Sequence, residues 1–214
     1  MTRVRLLLVA AALAATTAGP AWADRYEASL GLSANGGAAR IGEPGTTAAW
    51  TGGLGLGARA SYATDNTWAY DLQLVGFVSQ PVTYPEVERD ILGEVERGAV
   101  SRRTVAAALT GGVELRLGPR LIPTVRLGLG PQVRHRTASD LGGIIDAIPS
   151  ATTLDVAVSV GLGFDLRLSR RRVLGLCLRY DRAQPIGDAG AIDAIALSLR
   201  LDHYWYPRWQ APVW

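Results

Sequence analysis

The residues of this 214-residue chain best suited to chemistry are two histidines, one cysteine and a set of Arg and carboxylate residues spaced at even intervals. His135 lies between Arg134 and Arg136, with Ser139 and Asp140 downstream. A His, an Asp and a Ser brought together can support hydrolysis, yet three common residue types close in sequence do not make a triad, and a cationic rim is the plainer reading. His203 stands beside Tyr204 and Trp205 with no serine within several residues, as an interfacial histidine would. Cys177 is the only cysteine, which excludes an internal disulfide and a zinc site built on cysteines. No His, Cys and carboxylate group has metal-ligand spacing. The run Gly53-Leu54-Gly55-Leu56-Gly57 lacks the strand-to-helix context of a nucleotide fingerprint. No catalytic residue, metal or cofactor is expected.

The remaining polar groups follow another rule. Arg59, Arg116, Arg126, Arg134, Arg167, Arg179 and Arg200 share one parity of an alternating pattern with Glu27, Asp71, Glu114, Asp155, Asp165, Asp181 and Asp202. The opposite parity is Leu, Val, Ile, Ala and aromatic. The clearest segment is Leu154, Val156, Val158, Val160, Leu162, Phe164, Leu166 and Leu168, with Asp155, Ser159, Asp165 and Arg167 between them. Two-residue alternation describes strands with one apolar and one polar face. Eight are expected, near 25–33, 49–62, 68–78, 104–117, 121–134, 153–168, 173–182 and 194–205. Their connections take turns: tight at 63–67, 118–120 and 169–172, longer at 34–48, 79–103, 135–152 and 183–193. All short connections then lie at one end of the strands.

Two long connections carry helical signals. In 79–103, Pro85 suits a first helical position, Glu86 and Glu88 suit its positive end, Val87, Ile91, Leu92 and Val95 form a stripe, and Gly98 can end it. In 135–152, Ser139 can cap a turn bearing Leu141, Ile144, Ile145 and Ile148 before Pro149. Short helices are expected there, packed on the barrel rim.

Residues 1–23 read as a secretory signal peptide: Arg3 and Arg5, an apolar run from Leu6 to Ala15, then Ala21-Trp22-Ala23. The run is shorter than the roughly 20 residues of a spanning helix. Of the 22 basic residues two fall in this leader, leaving 20 Arg against 19 Asp and Glu, so the exported chain is nearly neutral and nucleic acid is an unsuitable partner. One domain is expected over 24–206, with a short tail at 207–214.

Which parity faces outward decides the fold class. With the apolar face inward, as in a soluble ligand-binding barrel, the bulky side chains would overfill an interior only wide enough for side chains or one small ligand. The polar parity carries many glycines, among them Gly112, Gly128, Gly161 and Gly175, which make room in a narrow lumen. Its seven Arg meet seven carboxylates, the balance that enclosed charges require. On the apolar parity Tyr26, Tyr62, Trp68, Tyr70 and Trp205 gather at the end served by tight turns, with Trp50 and Tyr180 at the other, as in an aromatic girdle. The fold class is therefore all-β: an eight-stranded antiparallel up-and-down transmembrane β-barrel with short helices in its extracellular loops.

On these features the chain resembles the small eight-stranded outer-membrane barrels of Gram-negative bacteria, the OmpA-transmembrane, OmpX and OmpW type. The resemblance spans residues 24–206 and is architectural, without a diagnostic motif. It implies residence in the cell outer membrane, with outer-membrane lipid, lipopolysaccharide and the barrel insertion machinery as partners, and it names no specific protein partner. The chain departs from the type where Pro207 and Pro212 interrupt the approach to Trp214, and the cell-wall tether that a peptidoglycan-binding domain gives some members is not expected. The expected function is a non-enzymatic scaffold with a closed polar lumen and surface loops for envelope or partner contacts. The alternatives are a small conduit for apolar solutes, a lipid-modifying enzyme using His135 or His203, and a soluble lipocalin-like barrel.

Overall fold

A computed structural model of the protein describes residues 27–42, 48–64, 67–91, 94–117, 121–141, 144–169, 171–187 and 190–205, apart from the side chains at 85–97 and 140–148. The expected leader at 1–23, the tail at 207–214 and Tyr26 lie outside the described residues. Twelve strands are seen there: β1 (Ala28–Ile41), β2 (Ala49–Ala63), β3 (Trp68–Ser79), β4 (Val82–Ile91), β5 (Glu94–Arg102), β6 (Thr104–Arg116), β7 (Leu121–Arg136), β8 (Ser139–Leu141), β9 (Ile144–Ile148), β10 (Ala151–Arg167), β11 (Arg172–Pro185) and β12 (Ile192–Trp205).

Eight of these close a barrel in the order β1-β12-β11-β10-β7-β6-β3-β2. Each strand pairs antiparallel with its neighbour in sequence, and β1 joins β12 from Ala28↔Trp205 to Ile41↔Ile192. The barrel strands run from 12 to 17 residues, longer than the roughly 9–11 that cross a bilayer. One lapse in the ladder has a covalent cause. Between Ala108↔Gln132 and Gly111↔Leu129 the β6–β7 pairing is interrupted beside Pro131, which has no N–H to donate.

Side-chain alternation sorts cleanly by face. Leu54, Leu56, Leu72, Leu127, Leu129, Leu162, Phe164, Leu178, Leu197 and Leu199 all lie exposed on the outer wall. A continuous girth of exposed Leu, Val and Phe would be an aggregation surface in water and is the lipid-facing band of a transmembrane barrel. At the turn end the band meets Tyr62, Trp68, Tyr70 and Trp205; at the other end, Trp50 and Tyr180.

Two expectations need correction. The segments with helical signals are β-hairpins, β4–β5 and β8–β9, each a separate two-stranded sheet. Apolar residues four apart are also an even number apart, so Val87, Ile91 and Val95 satisfy both periods, and the β-branched residues favour the strand. Pro85, cast as a helix start, instead sits in the register shift between Tyr84 and Val87, a bulge where its missing donor is tolerated. In addition, β1 runs to Ile41 rather than stopping near residue 33, with Ala39 and Ile41 buried and Arg40 exposed.

The hairpin end of the barrel is laced together. Tyr84 Oη donates to the Ile41 carbonyl at 3.1 Å. Buried Arg102 donates from Nε to the Thr137 carbonyl at 2.8 Å and from Nη2 to the Pro149 carbonyl at 2.9 Å. Arg134 Nη1 reaches the Gly190 carbonyl at 2.8 Å. Segments flanking all four longer connections are thereby tied to one another or to the wall.

Candidate functional site: a two-part lumen

The lumen changes character along its axis. In the turn-end half, charged side chains from six strands converge. Asp71 on β3 accepts from Arg59 Nε at 2.8 Å and from Arg126 Nε and Nη2 at 2.7 and 2.8 Å. Arg59 Nη2 also lies 2.8 Å from Glu114 Oε2, and Arg116 Nε lies 2.9 Å from Glu114 Oε1. Arg200 on β12 grips Asp165 with Nη2 at 2.7 and 2.9 Å and sets Nε 2.7 Å from Asp202. Nearest the turns, Arg167 Nη2 contacts both oxygens of Glu27 at 2.8 and 2.9 Å. The Arg116 and Arg167 guanidiniums stand 5.7 and 6.0 Å from the buried Tyr204 ring. Charges taken out of water are tolerated only with such pairing.

Local sequence makes room for this packing. Gly112 and Gly128 face each other across β6 and β7. A Cβ on Gly112 would come 2.9 Å from Arg126 Nη2, and one on Gly128 would come 2.7 Å from Arg126 Nη1. The two glycines form the slot over which this guanidinium lies, free to donate to Ser159 Oγ at 2.7 Å and Thr110 Oγ1 at 3.1 Å.

Two ion pairs stand apart, toward the hairpins. Arg179 Nε meets Asp181 at 2.7 Å, and Arg134 Nη2 meets Asp155 at 3.1 Å, with Gln132 Nε2 donating to the same carboxylate at 3.2 Å. On the hairpin side of the main cluster the lumen becomes largely apolar around Ala157, Ala183 and Ile192, with Asp181 one inward position turnward of Ala183 and Asp155 one hairpinward of Ala157, so the polar lumen expected from the sequence is polar mainly in its turn-end half. Ala39, Ile41, Ala157, Ala183 and Ile192 form a buried cluster with Phe77, Ala108 and Ala194 against it. Beside it lies a cavity of about 60 Å³, walled by Phe77, Ala108, Ala157, Ala183, Ile192 and Ala194 with Gly37, Val75, Ala106 and Ala196, and edged by Asn35, Gln73, Thr110, Gln132, Arg179 and Asp181. The individual residues on the inward parity were visible in sequence; that small ones from six strands meet around one cavity was not.

The two histidines are not brought together. His135 faces outward near the hairpin end, and its Nδ1 lies 3.0 Å from Thr152 Oγ1 across the β7–β10 pair. His203 faces outward near the turns, opposite Arg172 and Leu30. Among the described residues there is no cluster of three or more His, Cys, Asp or Glu able to hold a metal. A polar row unseen in sequence crosses the outer wall just above the apolar band: Trp50, Arg40, Asp193 and Arg182 are successive cross-strand partners. Asp193 there accepts from Tyr180 Oη at 2.7 Å and lies 3.5 Å from Arg182.

Among solved structures, the chain resembles Ail, the attachment invasion locus protein of Yersinia pestis, with a TM-score of 0.51 and 13% identity over 85% of this chain and all of that one. The fold is that of a small eight-stranded outer-membrane barrel. Neisserial surface protein A aligns at a TM-score of 0.44 and 12% identity over 80% of this chain and 96% of that one. The outer membrane protein OprG of Pseudomonas aeruginosa aligns at 0.41 and 14% identity, over 86% and 98%. No family model and no curated protein matches the sequence.

Proposed function

We propose that this chain is a non-enzymatic integral barrel of the bacterial outer membrane, with its tight turns in the periplasm and its two hairpins at the cell surface. Residues 1–23 act as the export signal in this reading, and the insertion machinery places the barrel. The observation that carries the closed-scaffold role is the ion-pair cluster of Arg59, Asp71, Glu114, Arg126, Asp165, Arg200 and Asp202, which fills the periplasmic half of the lumen from opposing strands. Paired side chains rather than an open bore occupy that half. The function then resides in what the hairpins and the outer wall touch, including lipopolysaccharide headgroups along the row of Arg40, Asp193 and Arg182. Purified barrel in planar bilayers should give no stable unitary conductance, and cell fractionation should place it in the outer membrane with a heat-modifiable mobility. A stable large conductance refutes the closed scaffold, and a soluble periplasmic product refutes the membrane assignment.

A conduit for apolar solutes is the second reading, supported by the apolar character of the surface half of the lumen. It requires the ion-pair cluster to open, so Arg126→Ala with Arg167→Ala should raise solute flux. Unchanged flux excludes it. The lipid-modifying alternative draws no support from two histidines facing outward at opposite ends of the wall.

A further inference from the structure

The outer wall carries charge at both edges of its apolar band, and the two edges are not alike. On β11, Arg172 and Arg182 both face outward, and on β12 His203 and Asp193 are their cross-strand partners. Ten positions separate the two rows on either strand. At about 3.4 Å per residue and a tilt of about 40°, the rows stand about 26 Å apart along the membrane normal, close to the roughly 25 Å of a lipid-facing band. Between them Leu174, Leu176 and Leu178 face outward opposite Leu201, Leu199 and Leu197. Both rows therefore lie where hydrocarbon ends and lipid headgroups begin.

At the hairpin edge the charges answer one another: Arg182 lies 3.5 Å from Asp193, which also accepts from Tyr180 Oη. At the turn edge they do not. The Arg172 and His203 side chains make no hydrogen bond or ion pair among the described residues. The described carboxylates of that half, Glu27, Glu114, Asp165 and Asp202, are all buried in the lumen. Arg171, exposed in the adjoining turn, adds a second guanidinium. That turn is fixed: Ser169 Oγ accepts from Arg171 N at 3.3 Å and Arg172 N at 3.1 Å, and Tyr204 N donates to the Arg171 carbonyl at 2.8 Å. An ionisable side chain facing lipid is costly unless paired, and two of them here sit on directly opposed residues, whose Cα atoms are about 4.5–5.5 Å apart. A guanidinium and an imidazole so placed cannot neutralise each other. Both can donate to the oxygens of one phosphate between them.

We propose that Arg172 and His203 bind the phosphodiester of an anionic phospholipid of the phosphatidylglycerol class, with its acyl chains along the Leu174–Leu201 and Leu176–Leu199 pairs. The inference rests on the outer-membrane reading above, which places this edge in the periplasmic leaflet. Arg171 sets the choice of headgroup. From the turn just beyond the pair, it repels the ammonium of a zwitterionic lipid and tolerates a neutral glycerol.

The test uses the full, untagged chain in phosphatidylcholine nanodiscs, with phosphatidylglycerol or phosphatidylethanolamine replacing a rising fraction of the lipid. Ring-labelled histidine gives two NMR reporters: His203 at the proposed site and His135, which faces outward near the hairpins and senses the general charge of the membrane. The expected result is a saturable His203 shift with phosphatidylglycerol, half-complete at about three- to tenfold lower mole fraction than with phosphatidylethanolamine, while His135 responds weakly and without saturation. Arg172→Gln should abolish the saturable shift. Arg103→Gln, which removes the same charge from an exposed site at the hairpin end, should leave it intact. Equal responses of the two histidines overturn the proposal. So does an equal response of His203 to the two lipids, or a phosphatidylglycerol preference that survives in Arg172→Gln. Should Arg172→Gln fail to fold, the contrast between histidines and between lipids in the parent protein still decides it. A nanodisc offers the same lipids to both edges, so a negative result with heat-modifiable barrel strikes this site alone, whereas a soluble periplasmic product strikes the membrane reading itself.

Discussion

Replacing Asp71 by Ala is the sharpest way to ask whether the ion-pair cluster holds the barrel together. The Asp71 side chain is fully buried and receives three charge-assisted contacts of 2.7–2.8 Å from two guanidiniums. In Asp71→Ala, Arg59 retains Glu114 at 2.8 Å, but Arg126 keeps the Ser159 and Thr110 hydroxyls and a 3.5 Å contact to the Thr110 carbonyl, and it loses its hydrogen-bonded carboxylate. Removing one partner of a buried pair costs about 3–5 kcal/mol, and this loss belongs at that level. Asp181→Ala is the internal control: its side chain is 23% exposed and meets Arg179 Nε at 2.7 Å. After discounting for solvent it should cost about 1 kcal/mol. Adding Arg126→Leu to Asp71→Ala removes the stranded charge, so the double variant should recover about 1–3 kcal/mol of what the two single losses sum to. Reversible urea unfolding in phospholipid vesicles, followed by tryptophan fluorescence and the gel mobility of folded barrel, measures all four. If Asp71→Ala lies within about 0.5 kcal/mol of the parent, or matches Asp181→Ala, the cluster is not a stabilising unit and the argument from pairing fails.

Two further outcomes follow from the wall. Val158→Arg, in the middle of β10 on the exposed outer face, should destabilise the vesicle-inserted barrel by about 2–4 kcal/mol, and Leu168→Arg at its turn-side end by no more than about 1 kcal/mol, in the same unfolding assay; equal costs would argue against a lipid-facing band. Gly112→Ala places a methyl 2.7 Å from Asp71 Oδ1 and 2.9 Å from Arg126 Nη2, and overpacking of this kind should cost about 1–3 kcal/mol in that assay; a neutral result would show that the guanidinium does not depend on the glycine slot.

The barrel itself was legible because alternation has a period of two and each strand is long enough to display it, as Leu154 to Leu166 do on β10. The end of β1 was not, because Gly36-Gly37-Ala38-Ala39 offers no contrast between faces, although Ala39 and Ile41 point inward and Arg40 outward. The hairpins were misread where a four-residue spacing of Val87, Ile91 and Val95 fits a helix and a strand equally well. The Arg and carboxylate parity could be read, but not the partners. Arg167 reaches Glu27 across 140 residues of sequence and Arg126 reaches Asp71 across 55, separations set by barrel closure and strand stagger rather than by any local pattern. The cavity was least visible of all. It exists because small side chains from six strands meet around it, and no window along the chain contains more than a few of them.

The lacing at the hairpin end has a consequence for how this surface can change. Tyr84, Arg102 and Arg134 all donate to main-chain carbonyls, those of Ile41, Thr137, Pro149 and Gly190. Every amino acid supplies that acceptor. The acceptor positions can therefore exchange side chains without losing a latch, so long as three donors rooted near the rim are kept. A cell surface under pressure from antibodies or phage could redraw much of this face by substitution while the strands beneath stay in register.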